Sequence, residues 1–275
     1  MTNCSPPAIF PRPFLKWAGG KGRLIQQYSS HFPKYFDTYY EPFLGGGAIF
    51  FYLAPPRAVL TDINPELVNV YHCIRDDVNR MIDLLSIHQR QHCREYYYQV
   101  RSAPGKTDLE RAARLIYLNK TCFNGLYREN SRGEFNVPMG KYTNPRVCDP
   151  ELLRAASFAL KTADLTVNSF DAILELAKTS RDFVYFDPPY YPISSTSSFT
   201  AYSRHAFSQL DQIRLRDVFV ELANRGVKVM LSNSDCSFIR GLYSDFNIHP
   251  IIAARAINCN AAKRGKINEV LVTSY

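Results

Sequence analysis

Asp187-Pro188-Pro189-Tyr190 directly follows the apolar run Phe183-Val184-Tyr185-Phe186. In open α/β sheets ligands bind beyond the carboxyl ends of strands, which is where this tetrapeptide falls. Its two prolines remove two backbone donors and fix φ, leaving a stiff loop with carbonyls free to accept. A carboxylate beside a carbonyl suits one chemistry well. The exocyclic amine of a nucleobase such as adenine is a poor nucleophile, because its lone pair is delocalised into the ring. Accepting its two N–H groups on Asp187 and the Pro188 carbonyl would pull the nitrogen toward tetrahedral geometry and aim the lone pair outward. Tyr190 can stack on the base, a contact worth about 1–3 kcal/mol. A base in a duplex must leave the stack to reach such a pocket. Taken alone, the same four residues also suit a surface turn after a strand.

Two further segments have the makings of a cofactor site. Glu41-Pro42-Phe43-Leu44-Gly45-Gly46-Gly47 places glycines where a backbone must approach a ligand at a helix N-terminus. Asp62 stands fifteen residues beyond Gly47, where a carboxylate can accept both ribose hydroxyls of an adenosine. Nicotinamide or flavin cofactors, or a plain turn, would also fit a glycine loop, but position 50 is Phe and the dinucleotide pattern G-x-G-x-x-G is not met. Near the N-terminus, Phe14-Leu15-Lys16-Trp17-Ala18-Gly19-Gly20-Lys21 holds the only tryptophan between two lysines. It reads either as a packed anchor with solvated lysines, or as a lid (Trp17) and a carboxylate-binding cation (Lys21).

The segment from Asn119 to Tyr142 alternates arginines, asparagines and aromatics along a glycine-containing loop. Arginine can read guanine O6 and N7, and an aromatic can wedge where a base leaves the stack. A hairpin turned by Asn and Gly is the plainer reading.

The elements that must carry these residues follow from periodicity. Lys21 to Phe32 can form a helix, Thr38 to Phe43 a strand into the glycine loop, Ala48 to Leu53 a helix and Arg57 to Asp62 a second strand. Strand, glycine turn, helix, strand opens a doubly wound sheet. Pro65 to about Cys122 has helical periodicity, with Leu67, Val70, Tyr71 and Ile74 as one stripe, and 123–147 reads as a loop or hairpin. Strands return at 165–167, 183–187, 227–231 and 270–272, with helical stretches at 169–178 and 208–225. The economical account is one α/β domain made of residues 1–64 and 148–275, interrupted by a helical, basic insertion at 65–147. Ser194 to Ser203 is small and polar and reads as a mobile loop.

Bulk composition fits this. Hydrophobic residues make up 46% and charged residues 21% of 275, an ordinary globular balance. No apolar run reaches a membrane span, and the proline-rich lead-in shows no export signal. Seven cysteines, an odd number without C-x-x-C spacing or nearby histidine clusters, point to free thiols rather than disulfides or zinc. Net charge is +8, and Arg90 to Arg146 holds eleven basic residues against five acidic ones. Arg255, Lys263, Arg264 and Lys266 form a second basic stretch. Such patches suit phosphate neutralisation, although a solvated basic face would look the same.

Together these segments resemble the Dam-type DNA adenine methyltransferases (D12 class, alpha group), which modify adenine in GATC. The likeness covers nearly the whole chain after Ile9, in the order cofactor motif, helical insertion, Asp-Pro-Pro-Tyr. It implies a class I, Rossmann-like S-adenosylmethionine-dependent methyltransferase sheet with an inserted, mostly helical target-recognition domain. By resemblance, Trp17, Lys21, Phe43, Gly45, Gly47, Asp62 and Asp187 hold S-adenosyl-L-methionine, and Asp187, Pro188 and Tyr190 hold the flipped adenine. Phe123 matches an intercalating aromatic, in place of the family's tyrosine. Asn124 would fill the vacated space, and Leu126 and Arg128 would read bases, with Arg128 on guanine. Pro138 and Tyr142 would support them, and Lys16 would lie near the first guanine. Ser195 to Tyr202 resembles the family's loop after Asp-Pro-Pro-Tyr. The resemblance implies double-stranded DNA as partner, no metal, no membrane, no obligatory protein partner, and a cytoplasmic, nucleoid-associated location. Methylation of cytosine N4, RNA or a protein amide, and a silent DNA-binding protein, stay open as alternatives.

Overall fold

In the computed structural model, residues 9–193, 207–254 and 266–275 are described. The lead-in up to residue 8 with Cys4, the loop expected at Ser194 to Ser203, and Arg255, Cys259, Lys263 and Arg264 lie outside the described residues.

Among the described residues, short β-branched and aromatic runs make seven strands: β1 (Thr38–Glu41), β2 (Ala58–Asp62), β3 (Ala163–Val167), β4 (Asp182–Phe186), β5 (Lys228–Ser234), β6 (Asn247–Ala254) and β7 (Lys266–Thr273). They form a mixed sheet in the order β3-β2-β1-β4-β5-β7-β6. β2, β1, β4 and β5 run parallel, whereas β7 is antiparallel to both β5 and β6. This is a mixed, largely parallel α/β sheet, the fold class that the sequence predicts. The strand order reverses between β1 and β4, and ligands bind outside the carboxyl ends at such a switch point. Pro42-Phe43 leaves one of those ends and Asp187 the other. β4 is buried along its whole length, as expected of a central parallel strand covered on both faces. β6 is a correction: the sequence reading misses it because Pro250 and His249 interrupt its pattern, and an edge strand tolerates both.

The chain divides into two compact units, one of Met1–Gly20, Leu44–Ala54 and Thr61–Val167, the other of Lys21–Phe43, Pro55–Leu60 and Asn168–Tyr275. In the second unit, the helix expected over Lys21 to Phe32 is instead three short turns, Lys21–Arg23, α1 (Ile25–Tyr28) and Ser29–His31. Leu24 supplies no side-chain cap, and Gly22, Ser29 and Ser30 are weak helix formers.

The first unit is helical: α2 (Ala48–Leu53), α3 (Pro65–Asp76), α4 (Val78–Arg90), α5 (Arg94–Ser102), α6 (Asp108–Thr121) and α7 (Pro150–Leu160). α3, α5, α6 and α7 start where a side chain satisfies free N–H groups, whereas Asp77 ahead of α4 makes no such bond. Asn64 accepts from Glu66 and Leu67 ahead of α3, and Thr107 with Glu110 closes a capping box on α6. The stripe Leu67, Val70, Tyr71, Ile74 is buried, as expected. α7 is unanticipated, although Asp149-Pro150-Glu151 is a helix-start signal. Between α6 and α7 the chain makes a hairpin-like loop, with bridges Cys122–Met139 and Glu129–Phe135.

The second unit continues with α8 (Ile173–Leu176), α9 (Gln209–Asn224) and α10 (Ser237–Leu242). Its core packs Leu215, Phe219 and Leu222 of α9 against Val184, Phe186, Val229, Leu231, Val270 and Val272 of the strands. Among the described residues no helix is long and apolar enough to cross a membrane, and Cys73, Cys93, Cys122, Cys148 and Cys236 are free thiols.

His88 on α4 stacks on Tyr117 of α6 at 4.9 Å, with its Nδ1 2.8 Å from the Tyr96 hydroxyl. Burial pushes its pKa down to about 4, so the folded chain refuses a proton that the unfolded chain takes up near pH 6.5. The stability is therefore complete above pH 6.5 and declines as pH falls toward 4, by about 1–3 kcal/mol from this group. Urea unfolding at pH 7, 5.5 and 4.5 should show a smaller acid loss for His88→Gln than for the parent; parallel losses would contradict it.

Candidate active site

Asp187 is the first residue past β4. Its Oδ1 lies 2.8 Å from the Lys21 ammonium and accepts a hydrogen bond of 2.9 Å from the Ser232 hydroxyl of β5. Because Ser232 donates there, the Tyr185 hydroxyl 2.9 Å away donates to Ser232. Among the described residues no hydrogen bond or ion pair falls on Oδ2. One oxygen is anchored and the other remains an open acceptor. Lys21 itself is only 4% exposed and also sits 4.9 Å from the centre of the Tyr190 ring. The Tyr190 hydroxyl donates to Glu269 Oε2 of β7 at 3.0 Å. Burial raises the Glu269 carboxyl and so does Asp187, while Lys21 and the Tyr190 bond pull it back. Tyr185 and Tyr190 hydroxyls are raised well above their ordinary range, chiefly by burial, and stay protonated donors.

A buried amide pair holds the loop itself. Gln212 Nε2 of α9 donates to the Pro189 carbonyl at 2.9 Å, and Asn233 Nδ2 donates to Gln212 Oε1 at 2.9 Å. Asn233 Oδ1 in turn accepts the Tyr191 N–H at 3.1 Å. The Pro189 carbonyl is thus taken, whereas no hydrogen bond among the described residues falls on that of Pro188. Phe43 is half-buried in an aromatic cluster, stacked on Phe170 at 5.5 Å with Phe186 and Phe207 edge-on.

In the first unit the glycine loop is braced from below. Asp62 Oδ2 accepts from Gly45 N at 3.1 Å, its Oδ1 from Asn64 N at 2.9 Å, and Tyr71 donates to the Gly45 carbonyl at 3.0 Å. Burial raises the Asp62 carboxyl, opposed by these backbone N–H groups. Gly45 and Gly47 have φ of +47° and +64°, which favours glycine, and a Cβ on Gly45 would come within 2.9 Å of the Trp17 ring. Trp17 stacks on Tyr127 at 5.6 Å. Trp17, Gly45 and Asp62 are therefore neighbours, with Gly47 two residues along the same loop.

The same unit gathers Lys16 with the 119–142 segment. Asn119, only 1% exposed, accepts from Lys16 N at 2.8 Å and donates to the Lys16 and Gly125 carbonyls at 2.7 and 3.0 Å. Phe123 N–H donates to the Pro138 carbonyl at 2.9 Å, and the Lys16 ammonium lies 4.0 Å over the Tyr142 ring. Phe123 is 47% exposed, and Asn124 takes a left-handed conformation with φ +55°. Leu126 is half-buried, and exposed Arg128 donates from Nε to Asn136 Oδ1 at 2.7 Å across the ribbon.

Lys21, Phe43, Asp187, Pro188 and Tyr190 fall in the second unit, and the remaining candidates in the first. Sequence reasoning assigned nothing to Ser232, Asn233, Gln212, Glu269 or Asn119. The polar run Ser232-Asn233-Ser234-Asp235 at the end of an apolar strand was the one signal available. Among the described residues, no group of three or more His, Cys, Asp or Glu side chains is placed to hold a metal.

A family profile, D12 class N6 adenine-specific DNA methyltransferase, matches residues 17–257. The chain is 46% identical to Type II methyltransferase M1.LlaDCHI of Lactococcus lactis subsp. cremoris over 272 residues, which cover 96% of this chain and 95% of that protein. It is 41% identical to Type II methyltransferase M.MjaIII of Methanocaldococcus jannaschii, over 96% of this chain and 99% of that protein. It is 34% identical to the DNA adenine methylase of Escherichia coli K12, over 94% of each.

The Gln212 brace makes a direct prediction. Gln212→Ala leaves the Pro189 carbonyl and the Asn233 amide without their protein partner, so it should destabilise the chain by about 1–3 kcal/mol, read from the urea midpoint. An unchanged midpoint would show that the amide pair does not hold the loop.

Proposed function

The chain belongs to the D12 class N6 adenine-specific DNA methyltransferases, and from that premise we propose that it methylates N6 of an adenine flipped out of duplex GATC, with S-adenosyl-L-methionine as donor. The observation that carries this reading is the half-engaged carboxylate of Asp187: Lys21 and Ser232 hold Oδ1, while Oδ2 and the Pro188 carbonyl remain open as a pair of acceptors. An aromatic amine offers two N–H donors to such a pair.

The residues present fit the donor. Trp17, Gly45, Gly47 and Asp62 combine an aromatic wall, a close-approach loop and a half-buried carboxylate with acceptor capacity beyond one N–H per oxygen. With Lys21, Phe43 and Asp187 they form the proposed cofactor set. When bound, S-adenosyl-L-methionine supplies a methyl group activated by a sulfonium. The chain contributes orientation. Asp187 Oδ2 and the Pro188 carbonyl accept the two amine protons, Tyr190 stacks on the base, and Glu269 fixes the Tyr190 hydroxyl. The amine is too weak an acid to lose a proton first, so its extra proton leaves after transfer, and Asp187 acts mainly by orienting.

Residues 1–64 and 148–275 form the proposed catalytic domain and 65–147 the proposed target-recognition domain, a division by role rather than by compactness. Phe123 enters the stack, Asn124 fills the gap, Leu126, Arg128 and Lys16 read bases, and Pro138 and Tyr142 support them. The exposure of Phe123 and Arg128 and the tie between Lys16 and the loop through Asn119 support these roles. GATC rests on this reading set and on its likeness to the DNA adenine methylases.

Methyl transfer from labelled donor should occur on a GATC duplex, and not on the same duplex premethylated at N6 on both strands or on an RNA copy. Transfer to the premethylated duplex would point to cytosine, and binding without any transfer to a silent DNA-binding protein. Asp187→Ala should abolish transfer and leave duplex binding largely in place. Arg128→Ala should relax discrimination at one guanine by about 1–3 kcal/mol, measured with single-base-pair variants of the site; an unchanged preference removes Arg128 from base reading.

A further inference from the structure

Tyr127 stands between two residues proposed to read bases, Leu126 and Arg128, and its side chain takes the opposite face. Leu126 is extended (φ −70°, ψ 144°), and Glu129 is paired with Phe135 across the ribbon. Along an extended chain successive side chains alternate, so Leu126 and Arg128 share one face and Tyr127 the other. There its ring stacks on Trp17 at 5.6 Å and meets the buried Phe135 edge-on at 6.0 Å. Its hydroxyl donates to Glu129 Oε1, and burial together with Glu129 raises its pKa, so it stays a protonated donor.

Trp17 is the other half of that contact. An added Cβ on Gly45 would come within 2.9 Å of Trp17 Cδ1 and 3.3 Å of its Nε1, so the indole also lies against the glycine loop. One ring thus touches both the proposed donor wall and the base-reading strand. The backbone behind it is fixed. Asn119 bonds the N–H and carbonyl of Lys16 and the carbonyl of Gly125, which clamps the chain just before Trp17 to the chain just before Leu126. Beyond the clamp the Trp17–Tyr127 stack carries the contact onward. Stacked rings tolerate a range of offsets that directional hydrogen bonds would not, so the pair keeps freedom that a ligand on either side can remove.

A donor lying on Trp17 restricts the indole, and bases meeting Leu126 and Arg128 restrict the strand that holds Tyr127. Whichever ligand binds first orders a ring that the other must also order, so the second binds with a smaller entropy loss. We propose that Tyr127 is a positioning residue that couples target reading to donor binding, each ligand tightening the other through the Trp17 stack. The inference rests on the methyltransferase reading above.

The test is calorimetric binding of S-adenosyl-L-homocysteine, the donor without its methyl group, to the full chain. It is run alone, with a saturating GATC duplex that accepts methyl in the assay above, and with a duplex of equal composition lacking GATC. The GATC duplex should tighten analogue binding to the parent about fivefold, within what one aromatic stack can transmit, and the other duplex should not. Fluorescence anisotropy of the labelled GATC duplex should show the same factor when the analogue saturates, because coupling between sites is reciprocal. Tyr127→Leu keeps apolar bulk without a ring and should bring the factor to about 1. Tyr127→Phe keeps the ring, loses only the Glu129 bond, and should retain the parent factor. A residue that only packs would weaken each affinity and leave the factor alone, so equal factors in the parent and Tyr127→Leu overturn the coupling. A parent without any factor overturns it too, as does its loss in Tyr127→Phe, and neither result requires Tyr127→Leu to fold. All three leave the methyltransferase reading standing. No methyl transfer to the GATC duplex, or no binding of the analogue, overturns both.

Discussion

A carboxylate drawn out of water at the end of a central strand needs a fixed counter-charge, and the pairing of Asp187 with Lys21 at 2.8 Å supplies it. The way the charge is shared matters as much as its presence. Lys21 and Ser232 both engage Oδ1, so the carboxyl plane is set from one side while Oδ2 keeps its lone pairs. Had Lys21 bridged both oxygens, the carboxylate would be just as stable and would have little left to offer an amine. Ser232 can hold its part because β5 runs beside β4 in fixed register and Tyr185 donates to it from within the sheet.

Around that pair the loops are built to be stiff. Asn233 and Gln212, both essentially excluded from solvent, spend their amides on the Pro189 carbonyl and the Tyr191 N–H. Buried polar groups of this kind are costly unless every partner is present, which makes the network rigid as well as satisfied. In the first unit Asp62 does similar work for the glycine loop, holding Gly45 N–H, while Tyr71 holds its carbonyl. In both places the hydrogen bonds fix the direction of the loop's donors and acceptors, which is the preorganisation that the proposed sites call for.

Much of this is legible in the sequence, for identifiable reasons. Asp187-Pro188-Pro189-Tyr190 follows a run of four apolar residues, and the glycines precede a helix, so local pattern alone places them at strand ends. The helical insertion follows from the stripe through Leu67, Val70, Tyr71 and Ile74. Other features depend on pairings that no local pattern encodes. Glu269 lies 79 residues from Tyr190, and Asn119 lies 103 from Lys16. Ser232 and Asn233 continue an apolar strand and read as its polar end. Lys21 reads as a cofactor ligand, and its bond to Asp187 emerges only from the fold. Lys21 to Phe32 fails as one helix because its composition favours turns, and Pro250 conceals β6 because edge position is a tertiary property.

The charge balance of the second-unit cluster bears on the proposed chemistry. Lys21 faces two carboxylates, bonded to Asp187 and acting on Glu269 through space. Glu269, raised by burial and by Asp187, holds Tyr190 through an accepted hydrogen bond rather than through a second ion pair. The cluster therefore tends toward net negative charge, tempered by whatever proton Glu269 retains. An amine that accepts a methyl group becomes positive as the bond forms, so a negative, partly desolvated surround stabilises the product side of that step more than the neutral starting amine. A strong base would add little, since the proton becomes acidic only once the nitrogen carries four substituents. The same charge balance that lets the chain bury Asp187 thus leaves a field of the right sign for the reaction the family performs.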